Sequence, residues 1–367
     1  MNRLTIKTPN KKEYDIVITS GFDSLKDEID RLNLKGRRAY IITDSTVAPL
    51  YLDSLTNFLE SCDIKCDNYV LKAGEESKTK ENSDDILYSI AGLSYKRSDI
   101  VIALGGGVVG DMAGYVASQY HRGLFFIQIP TTLLAMSDSS VGGKNGVDYK
   151  NIKNVFGTFY FPGLVYMNID VLNSLDERQY YNGFAEVMKN AIIKDAHFYE
   201  WLIESMYEIC DKLPETLEEM VYRSVFVKKL VVEKDPFEEG ERALLNFGHT
   251  LGHAIESCKM GELLHGECVA LGMVAAAYIS YKKEMISLEE YLELRDMLVP
   301  FNLPITVDNI DIDEIVRRVG LDKKQDNEGL KFILIKKIGK AVIDRRVTKD
   351  EMTAALKEIE YTDECAD

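Results

Sequence analysis

An α/β domain followed by a mainly helical one is the architecture this sequence predicts, and three observations predict it. In the first half, short apolar runs rich in branched and aromatic residues alternate with amphipathic stretches, as expected of strand–helix units feeding a mostly parallel sheet. After about residue 170 long helical periodicities dominate. At 367 residues, with 46% hydrophobic and 28% charged side chains, the chain can support two domains with separate cores. The expected domains are 1–170 and 171–367.

In chain order, "YDIVIT" (14–19), "RAYIITD" (38–44), "DIVIALGGG" (99–107) and "LFFIQIPTT" (124–132) read as strands. "ENSDDILYSIAGL" (81–93) is a helical pattern between them. Beyond residue 170, "FYEWLIESMYEICDKL" (198–213) and "LEEMVYRSVFVKKLVVEKD" (217–235) read as helices. "CVALGMVAAAYIS" (268–280) is too short to span a bilayer and reads as a buried helix. "KFILIKKIGKAVIDRRV" (331–347) reads as a late hairpin, while "KAGEESKTKEN" (72–82) and "DKKQDNEG" (322–329) read as loops. A ligand cleft between the domains is the default expectation.

The formal net charge of −16 argues against nucleic-acid binding, which needs a broad basic face. A few cations in a cleft can still serve a small anionic substrate. The six cysteines lack metal-site spacing and are expected as reduced thiols. With no signal-peptide pattern at the start, a soluble, cytoplasmic protein free of membranes is expected.

"IALGGGVVGDMAG" places Gly105, Gly106, Gly107 and Gly110 after a buried strand and at a helix start. Glycines there let backbone N–H groups approach a pyrophosphate, and the helix N-terminus favours the anion. A plain tight turn also fits, because the acidic residue about 20 positions on that the dinucleotide fingerprint requires is missing. Asp44, ending an earlier strand, reads equally as a ribose acceptor and as a helix cap.

Three of the five histidines fall within "RALLNFGHTLGHAIES" (242–257) and "LLHGE" (263–267). His249 and His253 are four apart, so a helix puts them on one face. That spacing suits either a metal or a structural pair, and His265 adds a third imidazole. Glu186, in the apolar helix "GFAEVMKNAII" (183–193), is either a further ligand or half of a surface ion pair with Lys189. Lys144, Lys228 and Arg242, taken singly, read as solvated charges. Together with a metal and a nucleotide loop they point to a phosphorylated, carboxylated substrate.

Together, "GGGVVGDMAGYVAS", "RGLFFIQIPTTLLAMSDSSVGGKNGV", "GFAEVMKNAII", "RALLNFGHTLGHAIE" and "HGECVALGM" closely resemble the 3-dehydroquinate synthase family of sugar phosphate cyclases. The resemblance runs from about residue 14 to about residue 350. It implies an N-terminal NAD-binding α/β domain, a mainly α-helical C-terminal metal-binding domain and a homodimer. Glu186, His249 and His265 would hold Zn2+ or Co2+, with His253 a polar catalytic residue. Lys144, Lys189, Lys228, Arg242 and Asn246 match its catalytic positions; Arg122, Asn154 and Lys324 match substrate-binding ones, Arg122 across a dimer interface. Gly106, Gly107, Val108 and Asp111 match its pyrophosphate loop, and Thr131, Thr132, Asp138 and Ser139 its nicotinamide and ribose lining. Lys153, Glu75, Lys78 and Asp44 complete the implied NAD+ set. The implied reaction turns 3-deoxy-D-arabino-heptulosonate 7-phosphate into 3-dehydroquinate and phosphate, regenerating NAD+. Related cyclases making 2-deoxy-scyllo-inosose or valiolone, and metal-dependent glycerol or alcohol dehydrogenases, are the alternatives. Departures such as Asp176, Gln179, Asn145, Asp148 and Tyr149 remove none of the implied ligands.

Overall fold

The computed structural model describes residues 1–9, 12–150, 152–322 and 330–361; Lys324 lies outside them. The chain forms two compact units. The first comprises Met1–Leu175 with Leu217–Lys229, and the second Asp176–Thr216 with Leu230–Asp367.

The first unit is an α/β layer structure. Its elements are β1 (Asn2–Lys7), β2 (Glu13–Thr19), α1 (Leu25–Arg31), β3 (Arg38–Asp44), α2 (Asp53–Ser61), β4 (Lys65–Leu71) and α3 (Lys80–Gly92). They continue with β5 (Ile100–Gly105), α4 (Gly107–Gln119), β6 (Phe125–Pro130), β7 (Lys144–Tyr149), β8 (Ile152–Phe159) and β9 (Leu164–Asn168). Seven strands form one sheet in the order β1-β2-β9-β6-β5-β3-β4, parallel except for the β1–β2 pair. The central strands are buried on both faces because successive side chains enter opposite cores. Ala39, Ile41, Ile100, Ile102 and Leu104 pack on one side, and Tyr40, Ile42, Val101 and Ala103 on the other.

This strand order places a switch point between β3 and β5. From β3 the chain moves outward to β4, and from β5 it moves the other way to β6. Ligands of open α/β sheets bind at the carboxyl ends of such strands, here Asp44 and the triple glycine. The four expected strands correspond to β2, β3, β5 and β6. β1, β4, β7, β8 and β9 were not expected; β4 and β8 lack a continuous apolar run, and most of their residues are solvent-accessible.

The second unit is mainly helical: α5 (Glu177–Lys194), α6 (Ala196–Glu204), α7 (Met206–Cys210), α8 (Pro214–Lys234), α9 (His249–Cys258), α10 (His265–Lys282), α11 (Leu288–Asp296), α12 (Ile312–Asp322) and α13 (Lys349–Ile359). The middle of α8 belongs to the first unit. The stretch expected as one helix over 198–213 divides at Ser205 into α6 and α7. The expected hairpin is present as β10 (Phe332–Lys337) and β11 (Lys340–Asp344).

Helices α9 and α10 pack backbone to backbone. Gly248 has φ +81°, and a Cβ there would lie 2.7 Å from the Val269 carbonyl; one on Gly272 would lie 1.8 Å from the Gly248 carbonyl. No L-residue with a side chain fits either place without moving a helix. This closeness sets His265, first in α10, beside His249, first in α9. Gly272→Ala is therefore expected to destabilise the fold by about 3 kcal/mol, the upper end of the usual range for overpacking, as a lowered midpoint in urea titration.

Candidate active site

The second unit gathers four potential metal donors. The available ring nitrogens of His249, His253 and His265 lie within 4.8 Å of one another. Glu186 Oε1 lies 3.2 Å from His249 Nε2 and 3.5 Å from His265 Nε2. Glu186 is 0% exposed and Lys189 is 1% exposed, and the two form an ion pair. The pair anticipated as an alternative for Glu186 thus exists, but inside the protein and against the imidazoles. Burial alone would raise the Glu186 pKa, yet Lys189, His249 and His265 hold it well below the usual carboxylate range.

Two hydrogen bonds orient the rings. His249 Nδ1 lies 3.1 Å from the Phe247 carbonyl, which accepts but cannot donate, so Nδ1 donates and Nε2 is the nitrogen turned toward Glu186. His265 Nδ1 lies 3.0 Å from Glu256 Oε2, which likewise leaves Nε2 facing Glu186. Although both Nε2 atoms are close, Glu186 Oε1 is a buried oxygen with no hydrogen bond of proper geometry. A carboxylate oxygen and two imidazole Nε2 atoms turned toward one another are a donor set that a divalent cation takes up, displacing any proton the rings hold there. His253 meets solvent at its outer edge. Crowding by protein, then repulsion from its two neighbours, lowers its pKa to about 4, so it is neutral near pH 7.

The start of α10 is clamped to α5, the helix that carries Glu186. Asn182 Oδ1 accepts from Gly266 N at 2.6 Å, and a Cβ on Gly266 would lie 1.9 Å from the Asn182 carbonyl. Glu267 accepts from Leu264 N at 2.7 Å and from Arg178 Nε at 2.6 Å. Asn182, Arg178, Glu267 and Glu256 all escaped the sequence reading. Only Glu256 carried a signal, seven residues after His249 and three after His253 on one helix face.

In the first unit, α4 begins at Gly107 with Gly106 before it and no side-chain cap. Its first N–H groups are therefore left for an anion. A Cβ on Gly106 would lie 3.1 Å from Thr132 Cγ2, and one on Gly107 would lie 3.2 Å from Ser139 Oγ. The loop thus packs against residues expected to line the cofactor. Nearby, the Thr131 hydroxyl oxygen is buried without a hydrogen bond. Lys78 and Asp111 form a 2.6 Å ion pair. Burial would lower the Lys78 pKa, but Asp111 and Glu75 more than offset it, so the ammonium is retained. Asp44 Oδ1 accepts from Thr46 N at 2.8 Å and Val47 N at 3.0 Å, closing the turn after β3; the helical turn that begins at Ala48 has no side-chain cap.

The cations are divided between the units. Lys228 is 4% exposed and donates to the Asp138 carbonyl at 2.5 Å and to its carboxylate, an expected cofactor residue. Arg242, 3% exposed, donates to the Pro236 carbonyl at 2.5 Å. Asn246 donates to Glu238 at 2.9 Å. Neither Lys228 nor Arg242 is the solvated surface charge that each resembles singly. Lys144 opens β7 and is exposed, as are Lys153, Glu75 and Arg122. Asn154 (φ 53°) donates its N–H to Asp148 at 2.6 Å opposite an irregularity in β7, a device that re-aims a side chain. Val108 lies in the first turn of α4.

Residues 68–182 match the family described as 3-dehydroquinate synthase N-terminal, and residues 183–325 that described as 3-dehydroquinate synthase C-terminal. The 3-dehydroquinate synthase of Acetivibrio thermocellus is 40% identical over 332 residues, covering 90% of this chain and 92% of that one. The chain belongs to the 3-dehydroquinate synthase family. Among solved structures, 2-epi-5-epi-valiolone synthase of Streptomyces hygroscopicus, with NAD+ and Zn2+ bound, is 28% identical with a TM-score of 0.87, covering 94% of this chain and 96% of that one. A 2-deoxy-scyllo-inosose synthase complexed with carbaglucose-6-phosphate, NAD+ and Co2+ shares the fold at 24% identity and TM-score 0.87, covering 97% of this chain and 100% of that one. Within the family's two parts, the glycine loop falls in the N-terminal match and the Glu186–histidine group in the C-terminal one.

The Lys78–Asp111 pair can be tested apart from catalysis. Asp111→Asn is expected to destabilise the protein by about 3 kcal/mol, since a buried ammonium loses its nearest countercharge. Adding Lys78→Met should recover most of that loss in denaturant titrations.

Proposed function

We propose that this chain catalyses the 3-dehydroquinate synthase reaction, converting 3-deoxy-D-arabino-heptulosonate 7-phosphate to 3-dehydroquinate and phosphate, with NAD+ and one Zn2+ or Co2+ as cofactors. The observation that carries the reading is Glu186: an ionised, fully buried carboxylate whose Oε1 faces two imidazole Nε2 atoms without a hydrogen bond of proper geometry. Its charge and its place inside the group favour Glu186, His249 and His265 as the ligands, leaving His253 at the solvent edge for proton handling. When bound, the metal supplies Lewis acidity toward adjacent substrate hydroxyls and NAD+ a hydride acceptor that is restored each turnover.

The chain's own residues bind, orient and move protons. Lys144, Lys189, Lys228, Arg242, Asn246 and His253 are the proposed catalytic side chains, with Arg122, Asn154 and Lys324 holding substrate. Neutral His253 offers a ring nitrogen that takes or returns a hydroxyl proton. Lysine and arginine side chains favour the departing phosphate dianion electrostatically. The uncapped start of α4 at Gly106, Gly107 and Val108 takes the pyrophosphate. Lys78 with Asp111, Thr131, Thr132, Asp138, Ser139, Lys153, Glu75 and Asp44 line the rest of the cofactor.

We further propose a cytoplasmic homodimer. Among the described residues, Cys62, Cys66, Cys210, Cys258 and Cys268 are free thiols, as a reducing compartment requires. No helix among the described residues is long and apolar enough to cross a membrane. Among the described residues β8 pairs only with β7, and it exposes Ile152, Val155, Phe156 and Phe159. An unpaired antiparallel edge with an apolar face is self-complementary about a two-fold axis. Arg122 stands nearby on a turn in which both it and His121 have positive φ, a backbone strain typical of functional positions. A Cβ on the adjacent Gly123 would lie 2.8 Å from the Tyr160 hydroxyl, just past the end of β8.

Purified protein supplied with the heptulosonate phosphate, catalytic NAD+ and zinc should release phosphate with no net rise in NADH absorbance. His249→Ala should stay folded and lose both bound zinc and turnover; stoichiometric NADH accumulation would instead indicate a dehydrogenase. For assembly, the wild type should sediment as a dimer and the Val155→Asp/Phe156→Asp double variant as a monomer. A dimeric double variant would exclude β8 as the interface.

A further inference from the structure

We infer that Glu256 is a positioning residue for His265, fixing the direction of that ring so that Nε2 is the nitrogen that faces Glu186. The inference rests on the reading of Glu186, His249 and His265 as metal ligands, and it goes beyond that reading to a residue outside the set. Its basis is the 3.0 Å contact between Glu256 Oε2 and His265 Nδ1, opposite the Nε2 that lies 3.5 Å from Glu186 Oε1. A carboxylate accepts only, so Nδ1 must donate, and Nε2 is the nitrogen that coordinates once a metal displaces any proton held between it and Glu186.

The two ligand histidines differ in how firmly their rings are held. The His249 side chain is 11% exposed and its Nδ1 meets a main-chain carbonyl that no substitution removes. The His265 side chain is 29% exposed. The clamps by Asn182, Glu267 and Arg178 fix the backbone around residues 264–266, but they leave the two side-chain torsions of His265 unset. A ring turned by half a revolution would present carbon where Nδ1 now meets Glu256. The hydrogen bond is thus the feature that selects one ring orientation. Glu256 is placed for this task by α9 itself, three residues beyond His253 and on the same face as both helix histidines. Its negative charge also makes the imidazole a stronger donor than the neutral carbonyl makes His249.

The test measures metal affinity, not only turnover. Metal-stripped wild type, Glu256→Gln and Glu256→Ala are titrated with Zn2+ alone against a chromophoric chelator. Glu256→Ala should bind zinc about 10- to 100-fold more weakly. Glu256→Gln, which keeps an acceptor oxygen without the charge, should fall between it and wild type. Loaded with Co2+, the Gln variant should show an altered visible absorption envelope. A residue that only stabilised α9 would lower the melting temperature of the metal-free protein and leave zinc affinity unmoved. Wild-type zinc affinity in Glu256→Ala would overturn the inference while leaving the metal site standing. Failure of wild type itself to take up zinc would overturn both. If Glu256→Ala does not fold, the near-isosteric Gln variant decides: unchanged affinity together with an unchanged cobalt spectrum overturns the inference.

Discussion

A carboxylate without a proton, sealed from water, has to be balanced by positive charge. At Glu186 that requirement organises the second unit. Removing an ion from water costs several kcal/mol even after protein relaxation, and Lys189 on the same helix answers only part of the demand at Oε2. Oε1 faces the Nε2 atoms of two imidazoles whose Nδ1 atoms are engaged by Phe247 and Glu256. The arrangement makes sense as a cation site: a divalent ion takes the place of the positive charge that these groups otherwise share as protons.

Bringing those donors together is a backbone achievement. His249 and His265 start two different helices, and the ends of helices approach this closely only where side chains are absent. Gly248 and Gly272 remove the Cβ atoms that would hold α9 and α10 apart, and Gly266 does the same against α5. In the first unit, glycines answer a similar need. Gly106 and Gly107 let the start of α4 lie against Thr132 and Ser139, at the sheet's switch point. The glycine loop and the Glu186–histidine group thus both depend on close main-chain approach, and the charged side chains act within frames that glycine permits.

Much of this was readable beforehand, for identifiable reasons. β2, β3, β5 and β6 are buried on both faces or nearly so, and continuous branched runs mark such strands without help from neighbours. β4 and β8 gave no such mark because solvent tolerates polar residues along them. The histidines and Glu186 stood out because their types are rare in apolar helical surroundings. Asn182, Arg178 and Glu256 did not, since each is an ordinary polar residue until its partner across space is known. Resemblance to a family assigned roles to Lys228 and Arg242. It did not reveal that Lys228 is buried on Asp138 or that Arg242 is buried against the Pro236 carbonyl.

Local pattern in this chain determined the two architectures, the glycine-to-helix turn and the four-residue spacing of His249 and His253, because periodicity and backbone permissiveness act between near neighbours. Tertiary structure alone decided which groups meet. It put part of α8, with Lys228, into the first unit, set His265 beside a carboxylate 79 positions earlier in the sequence, and turned an anticipated surface ion pair into a buried one. Charge and hydrogen bonding act through distance in space, and distance along the chain says little about it.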